Sequence, residues 1–458
     1  MQLHLTNTLR AEHTQFPVGQ GGLHLCQLSI PSATSVPTLN IVYDCGSTWG
    51  KRALGGNLGH LAHRVTNPSD GSRNLDILVL SHLHQDHING FELLVDKNGI
   101  EVDRLIIPHY SDEDILFLVT QAAAAGVSAS AIQEQHAVLS DPAGWFGSRG
   151  VRQIVAIRGS GDGDAVEPPP TPGDGPPTGF ETIPPSDSVG GTGDTSLSLV
   201  AYAPRGTTEA PGRTADDRTS HISLSNRNFF QLIARPGGRA PFWTLVPFCQ
   251  RSIPGSQGHQ SRADFKEAVQ RCLAPNLRDG RLDLSVNWSK RLQCLKKAWS
   301  DYVGKGHRTW NLLSLSCYLG FTASCHAPRI ALCSDAIYLV PNLRFSSKTG
   351  FVEVQTSVPG WLMTWDATLE DTWQSFFAPY LKLRPMLQSP HHGSHRSFRS
   401  SVLKNMPSAL FATCASRDPK HPSRLLEKKL RAKGLQLHRV TEDPSTILHT
   451  CTTAVIRP

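Results

Sequence analysis

One short segment of the sequence places three imidazoles and a carboxylate directly after an apolar strand. The strand is Leu75–Leu80 (LDILVL), and the residues that follow it have the order H-x-H-x-D-H: His82, His84, Asp86 and His87. In an extended loop, His82 and His84 point to the same side, while Asp86 and His87 turn toward a neighbouring position. Imidazole nitrogens and carboxylate oxygens suit zinc, with manganese as the alternative. The segment therefore predicts two divalent metal ions, Zn²⁺ or Mn²⁺.

The length and composition favour a globular enzyme over a disordered chain. The chain has 458 residues, of which 39% are hydrophobic and 18% charged, so it can build a packed core. The motifs extend from residue 18 to residue 424, which indicates one large catalytic unit with insertions. The net charge of +7 fits DNA or RNA as a partner, and it fits solvated Lys and Arg faces equally well.

The cysteines and the N-terminus predict a cytoplasmic protein. The ten cysteines contain no C-x-x-C pair, which favours free, mostly buried thiols in a reducing compartment. The sequence starting at Met1 has no basic stretch followed by an apolar run, and no eighteen apolar residues are contiguous. We therefore expect neither a signal peptide nor a membrane partner.

Alternating strand and helix patterns predict an α/β fold in two halves. Residues 1–158 form the first half, and residues 305–458 form the second. Between them, residues 159–195 are rich in Gly and Pro and predict a flexible segment, whereas residues 196–304 predict an insertion with strands and helices. Within the insertion, Ser289–Lys297 predicts a basic helical face that either follows a nucleic-acid backbone or is simply solvated.

The H-x-H-x-D-H order resembles the defining motif of the metallo-β-lactamase superfamily. The resemblance implies a four-layered αββα metallo-β-lactamase sandwich with a long central insertion and a site between the edges of two sheets. It also implies that His82 and His84 bind the first metal, whereas Asp86 and His87 bind the second.

Four further segments are similar to the nuclease domain of ComEC-type DNA-uptake proteins, a branch of that superfamily. They are Val18–Gly22, Ile41–Gly46, Asn311–Leu315 and Trp361–Ala367. The chain departs from the branch at two positions. Gly22 stands where the branch has Asp, and Trp365 stands where it has Gly.

The Trp361–Ala367 similarity implies that Asp366 bridges the two metals, with Asp335 as the rival candidate. The segment Ser389–His395 is similar to the P-H-H-G-S motif of the branch. By analogy, His391 is a ligand of the second metal, and His392 orients ligands, contacts substrate or donates a proton; the two histidines could exchange these roles.

Two groups of residues are assigned by weaker similarities. Ser394 lets the backbone approach a phosphate, and His421, in an H-P segment before a helix, is a second substrate-binding candidate. The third ligand of the first metal is left open among His307, Asn311 and His221.

These patterns predict a metal-dependent hydrolase, most simply a phosphodiesterase or nuclease acting through a metal-bound hydroxide. Asp86 and His392 are its catalytic residues. Two alternatives stay open because one fold serves many chemistries. One is a hydrolase of small esters, lactones or thioesters. The other is an effector subunit of a multi-protein system, such as a defence system, that a protein partner activates through the insertion.

Overall fold

The protein is described here by a computed structural model with an α/β architecture. Its described residues are 7–29, 38–48, 51–159, 180–183, 197–204, 212–213, 220–224, 229–234, 243–251, 262–278, 281–282, 288–303, 313–321, 329–332, 352–354, 360–383, 385–398, 401–402 and 409–456.

The described strands and helices alternate along the chain. The strands are β1 (Asn7–Gln15), β2 (Gly21–Ser29), β3 (Thr38–Ser47), β4 (Asn74–Leu75), β5 (Ile77–Val79), β6 (Glu101–Pro108), β7 (Val151–Ile157), β8 (Phe180–Ile183), β9 (Leu197–Pro204), β10 (Gly212–Arg213), β11 (Ser220–Leu224), β12 (Phe229–Ala234), β13 (Trp243–Arg251), β14 (Leu277–Arg278), β15 (Arg281–Leu282), β16 (Leu313–Phe321), β17 (Arg329–Leu332), β18 (Val352–Val354), β19 (Gly360–Met363), β20 (Met386–Gln388), β21 (Ala409–Thr413), β22 (Leu437–Val440) and β23 (Leu448–Ile456). The helices are α1 (Lys51–Arg64), α2 (Gln85–Ile88), α3 (Asp112–Ala124), α4 (Ala129–Ser140), α5 (Pro142–Gly147), α6 (Arg262–Leu273), α7 (Trp288–Val303), α8 (Asp371–Leu381), the single turn α9 (Pro390–Gly393) and α10 (Arg424–Arg431).

Two large mixed sheets carry the fold. The first has the order β10-β11-β7-β6-β5-β3-β2-β1-β23-β17-β18, and its β3, β5, β6, β7 and β11 are parallel neighbours. The second has the order β22-β21-β20-β19-β16-β13-β12-β9-β8, in which β19 to β22 are parallel. Strands from the predicted insertion, residues 196–304, lie in both sheets. The insertion therefore does not form a separate layer.

The strand β16 shows how the layers pack. Leu315 and Leu319 belong to the core shared with the first sheet, whereas Tyr318 faces the opposite way into a core shared with α8 and α10. Tyr318 packs on Tyr380 of α8 with ring centroids 4.6 Å apart. The hydroxyl of Tyr43 donates to the backbone carbonyl of Leu315 and so links the two sheets. This alternation, with helices outside and two sheets inside, is that of the metallo-β-lactamase sandwich.

The apolar strand before the histidine segment is shorter than the sequence predicts. It divides into β4 and β5 at Asp76, whose carboxylate accepts the backbone N–H of Asn40 at 2.7 Å. The chain after the histidine segment is helical in separate short pieces. One helix, α2, ends at Ile88, and a separate π-helical turn covers Leu93–Lys97.

The helices α6 and α7 are joined by a disulfide between Cys272 and Cys294. This pair corrects the expectation that the cysteines are free thiols. Spacing along the chain did not reveal it because the partners lie 22 residues apart on two helices. The six cysteines described as free are all buried, and Cys325 and Cys333 lie outside the described residues. The described helices include none with the length and apolar character needed to cross a bilayer.

Candidate metal centre

The histidine segment starts where the parallel strands β3 and β5 end. Asp44 of β3 is fully buried and has a φ of 58°, and its Oδ1 accepts the backbone N–H of Ser81 at 2.7 Å. Its Oδ2 accepts the Ser81 hydroxyl at 2.8 Å and the Nδ1 of His87 at 2.8 Å. Burial raises the pKa of the Asp44 carboxyl, while His87 opposes that shift. Asp44 thus fixes both the start of the segment and the orientation of one imidazole.

Gly46 allows the backbone of the histidine segment to lie against β3. A β-carbon on Gly46 would come 2.5 Å from the carbonyl carbon of Asp86 and 2.5 Å from the amide nitrogen of His87. Real β-carbons do not approach backbone atoms this closely. Glycine is therefore required at position 46 for Asp86 and His87 to occupy their positions.

Three overlapping sets of side chains bring ligand atoms within 4.8 Å of one another. The sets are His82, His84 and Asp86; Asp86, His87 and His392; and His82, His87 and Asp366. Asp86 belongs to the first two sets, and Asp366 lies between His82 and His87. The His82 and His87 ring centroids are 4.1 Å apart.

The imidazoles present their Nε2 atoms to the centre because their Nδ1 atoms are occupied. Nδ1 of His82 contacts the Ser81 hydroxyl at 3.0 Å, Nδ1 of His87 contacts Asp44, and Nδ1 of His392 contacts the Thr413 carbonyl at 2.9 Å. Among the described residues, the buried Nε2 atoms of His82 and His87 have no hydrogen-bond partner. An imidazole with a proton on Nδ1 has its lone pair on Nε2, the form that binds metal.

The spacing of these atoms fits a shared cation. Nε2 of His82 lies 3.5 Å from Oδ2 of Asp366, and Nε2 of His87 lies 3.6 Å from Oδ2 of Asp86. Both distances are long for a hydrogen bond. Two ligands at about 2.0–2.1 Å from one tetrahedral ion would be separated by about 3.4 Å. The donor set therefore suits divalent metal ions.

The charges of the centre favour neutral imidazoles beside ionised carboxylates. Burial lowers the pKa of His82 well below its ordinary value, and it also lowers the pKa of His84. Although burial opposes ionisation, the imidazoles of His391 and His82 hold the pKa of Asp366 well below its usual range. His87 and His392 are exceptions. The carboxylates of Asp86 and Asp44 outweigh burial and raise the pKa of His87 to about 9, and the carboxylates of Asp86 and Asp366 outweigh burial and raise the pKa of His392. A divalent cation at Nε2 would displace either proton.

Asp366 lies at the edge where β19 ends. The preceding residue, Trp365, has a φ of 36°, and the side-chain oxygen of Gln388 accepts the backbone N–H groups of Thr364 and Trp365, each at 3.1 Å. The two carboxylate oxygens of Asp366 point in different directions, with Oδ2 toward His82 and Oδ1 4.0 Å from Nε2 of His392. This arrangement fits the bridging position predicted for Asp366.

The P-H-H-G-S segment contributes its second histidine to the ligand sets. His391 and His392 both have positive φ, 50° and 54°, in the turn after β20, and His391 donates its backbone N–H to the Trp365 carbonyl at 2.5 Å. Nε2 of His392 lies 3.5 Å from Oδ2 of Asp86. His391 is half-buried and belongs to none of the described ligand sets. Of the two assignments that the sequence leaves open, the geometry favours the one in which His392 is the ligand.

The remaining predicted residues lie either near the centre or outside the described residues. His421 lines a cavity beside the centre, its ring centroid 6.2 Å from those of His391 and His392, and burial followed by the charge of His392 lowers its pKa to about 4. Ser394 is buried and is not among the described lining residues of that cavity. The other candidates are outside the described residues: His307, Asn311, Asp335 and the side chain of His221.

Sequence reasoning missed Asp44 and Ser81 as site residues. Asp44 was visible as the polar residue near the end of an apolar strand, in the segment Ile41–Gly46. Its partner His87 follows 43 residues later, and only the parallel pairing of β3 with β5 brings the two together.

The centre opens into a cavity of about 440 Å³. Asp86, Asp366, His84, His391, His392 and His421 line it together with residues of α3 and α4. Cavities of this size hold small-molecule ligands.

Comparison with known proteins also indicates a metallo-beta-lactamase superfamily domain. Residues 37–239 match the sequence model of the metallo-beta-lactamase superfamily. No curated protein matches the chain. Among solved structures, a beta-lactamase from Chitinophaga pinensis is 12% identical, with a TM-score of 0.17, and the similarity covers 50% of this chain and 60% of that one. That TM-score is too low to support any conclusion. The family match includes the H-x-H-x-D-H segment, and together with the His and Asp sets it supports a metallo-beta-lactamase superfamily domain over residues 37–239.

Proposed function

We propose that the protein is a hydrolase that depends on two divalent metal ions. The observation that carries this proposal is the common orientation of three buried imidazoles, His82, His87 and His392. Each engages its Nδ1 with a protein oxygen and directs its Nε2 toward a carboxylate of Asp86 or Asp366. In a cluster with a structural role alone, buried Nε2 atoms without hydrogen bonds would be energetically unfavourable.

In this proposal the ligands divide into two sets that share a carboxylate. His82 and His84 would hold the first ion; Asp86, His87 and His392 would hold the second; Asp366 would bridge them. Bound divalent ions would activate water and polarise the bond that is cleaved. Asp44 and Ser81 keep His87 and His82 in the tautomer that presents Nε2.

The remaining polar groups would contact the substrate. His391 and His421 line the cavity and belong to none of the described ligand sets. The lowered pKa of His421 keeps this imidazole neutral at pH 7, so it can accept a hydrogen bond from a substrate hydroxyl or amide.

The bond that the protein cleaves has two candidates, and one observation supports each. Exposed Lys420 and Arg424 flank His421, which favours a phosphodiester and hence a nuclease or phosphodiesterase. The cavity lining, by contrast, includes several apolar residues of α3 and α4, which favours a small carboxylic ester, lactone or thioester.

Metal content and cleavage measured together test the proposal. Elemental analysis of the wild type should give about two zinc or manganese ions per chain, as the two-metal class requires. His84→Ala should lose metal and activity, and His60→Ala, an exposed histidine on α1, should lose neither. The substrates are single-stranded and duplex DNA, RNA, bis(4-nitrophenyl) phosphate and 4-nitrophenyl acetate. A wild type that binds no metal after reconstitution would contradict the proposal.

A further inference from the structure

The exposed side of α10 carries cations without balancing carboxylates. Its opposite side is held by Leu426 and Leu430, which are buried in the same core as α8. The exposed side presents four cations and a leucine, which we call the α10 face: Arg424, Leu425, Lys428, Lys429 and Arg431. The acidic residue of the helix, Glu427, accepts from the guanidinium of Arg439 at 3.0 Å. Among the described residues, no carboxylate pairs with the four cations of the α10 face.

This charge pattern opposes the stability of the helix. Arg424 occupies the first helical position, where the helix dipole disfavours a cation. Lys428 lies four residues after Arg424 and three before Arg431, and like charges at these spacings repel each other. A helix face that is only solvated gains nothing from such an arrangement. An anionic partner would turn the same charges into favourable contacts.

A leucine lies within the α10 face. Leu425 is 46% exposed and is the one large hydrophobic side chain that the described part of the chain exposes to this extent. It precedes Lys428 and Lys429 by three and four residues, so both ammonium groups border it on the helix surface. An apolar centre with a charged rim is the anatomy of a protein interface. A nucleic-acid backbone is bound mainly through its phosphates, to which a leucine makes no hydrogen bond.

The α10 face lies beside the metal centre but does not continue into the cavity. The backbone N–H of Ser423 donates to the Gly393 carbonyl at 2.9 Å, so the helix begins at the turn that holds His392. None of the described lining residues of the cavity is Lys or Arg, and Glu92 and Glu134 are among them. A nucleic-acid strand that ran from α10 to the metals would have no cations along the last part of its path. The position therefore favours a partner that stays on the surface of α10.

We propose that the α10 face is the docking surface for an acidic helix of a partner protein. Along the axis of α10, Arg424 and Lys428 are about 6 Å apart, and Lys428 and Arg431 are about 4.5 Å apart. Carboxylates at i, i+4 and i+7 of a helix that lies alongside have the same separations, and an apolar side chain of the partner covers Leu425. The bound helix lies next to the turn that holds His392. This docking surface is independent of the bond that the metal centre cleaves.

Binding of an acidic peptide to the full chain tests the proposal. The probe is a fluorescein-labelled helical peptide with Glu at i, i+4 and i+7 and Leu beside them, and its counterpart has Gln in place of Glu. In low salt, fluorescence anisotropy should show about tenfold tighter binding of the Glu peptide. Lys428→Ala/Arg431→Ala should weaken that binding about tenfold. Lys290→Ala/Lys296→Ala, which removes two exposed cations from α7, is the matched control and should keep the wild-type affinity.

The leucine distinguishes a protein partner from a nucleic acid. Leu425→Ser should weaken binding of the Glu peptide about tenfold, because it removes apolar surface that the complex buries, and should leave the salt dependence unchanged. Single-stranded DNA of equal charge is the comparison. DNA binding that is tighter than peptide binding and insensitive to Leu425→Ser would overturn the proposal, and so would peptide binding that neither variant changes. The two variants are independent, so either one tests the α10 face if the other does not fold.

Discussion

The indole of Trp365 occupies the space where a side chain at Gly22 would lie. A β-carbon on Gly22 would come 2.6 Å from Cη2 and 2.7 Å from Cζ2 of Trp365, and 2.7 Å from Cβ of Asp44. These are the two positions where the chain departs from the ComEC-type pattern, and they lie in contact across 343 positions of sequence. We therefore expect the two positions to be energetically coupled. The bulk of Trp365 is accommodated at Gly22, and the same ring meets His87 edge-on at 5.2 Å.

Gly22→Ala should destabilise the fold by roughly 1–3 kcal/mol, because the new methyl group overlaps the indole. In the Gly22→Ala/Trp365→Gly double variant, the loss should be smaller than the sum of the two single losses. The contact with Asp44 persists, so recovery is partial. Urea denaturation measures all four proteins. Gly55→Ala in α1, where no atom lies within 4 Å of the new β-carbon, is the control and should not destabilise. Additive losses would contradict the coupling.

Asp44→Asn should weaken metal binding by about 10–100-fold, because the amide cannot replace the carboxylate that accepts from both Ser81 and His87. Competition with a chelating dye measures the affinity. Asp76→Asn is the matched control: Asp76 is a partly buried carboxylate at the junction of β4 and β5, it accepts the Asn40 amide, and it contacts no ligand. Equal metal affinities of Asp44→Asn and the wild type would refute the orienting role.

The two adjacent histidines of the turn after β20 should differ in their effect on metal content. His392→Ala removes an Nε2 that faces Asp86 and should reduce the bound metal by about one ion per chain, as expected for loss of one ligand of a two-metal site. His391→Ala should keep the metal and lower activity only. Elemental analysis after gel filtration decides between them. The reverse pattern would restore the roles predicted from the P-H-H-G-S motif.

Acid should destabilise the first sheet through His13 and His24, whose rings meet with Nδ1 of His13 3.2 Å from Nε2 of His24. Burial, then His449, lowers the pKa of His13 to about 3, and burial lowers that of His24 well below its ordinary value. The unfolded chain takes up these protons below pH 6.5, whereas the folded protein does not. Stability present at pH 7 should therefore fall as the pH drops, by about 1.4 kcal/mol per pH unit for each histidine.

His24→Gln should remove one of these two contributions and flatten the profile between pH 6.5 and pH 5. Urea midpoints at several pH values give the slope, and His60→Gln at an exposed position should keep the wild-type slope. An unchanged slope in His24→Gln would show that other groups control the acid response.

The disulfide between α6 and α7 should stabilise the fold by roughly 3 kcal/mol through its 22-residue separation. Cys272→Ser/Cys294→Ser should lower the melting temperature, and a reductant should lower that of the wild type to the same value without affecting the variant. A wild type insensitive to the reductant would indicate that the bond contributes nothing.

The side chains of the histidine segment lie close together, as the sequence predicts, because they are neighbours in the chain. His82, His84, Asp86 and His87 need only a strand end and one helical turn to converge, and both are local structures. Asp366 followed from a similar local pattern at the end of β19. The α/β layering was predictable for the same reason, because the spacing of apolar residues that distinguishes strands from helices is visible in short stretches of sequence.

Features that depend on pairing between distant segments were not predictable in this way. His392 rather than His391 lies in the described ligand sets because of two consecutive positive φ values, which neither residue type predicts. Asp44 meets His87 and Ser81 only through the pairing of β3 with β5. The third ligand of the first metal, expected among His307, Asn311 and His221, stays a prediction, because the structure describes none of these three side chains.

The close approach of Gly46 to the histidine segment changes how the centre should be recognised in related chains. Gly46 has no side chain that could bind a metal, yet a β-carbon there would push Asp86 and His87 away from their partners. A chain that kept every histidine and aspartate but carried alanine at this position would contain all the ligand residues in its sequence. It would still fail to bring them together. The centre therefore depends on the absence of a β-carbon at position 46 as well as on the residues that supply ligand atoms.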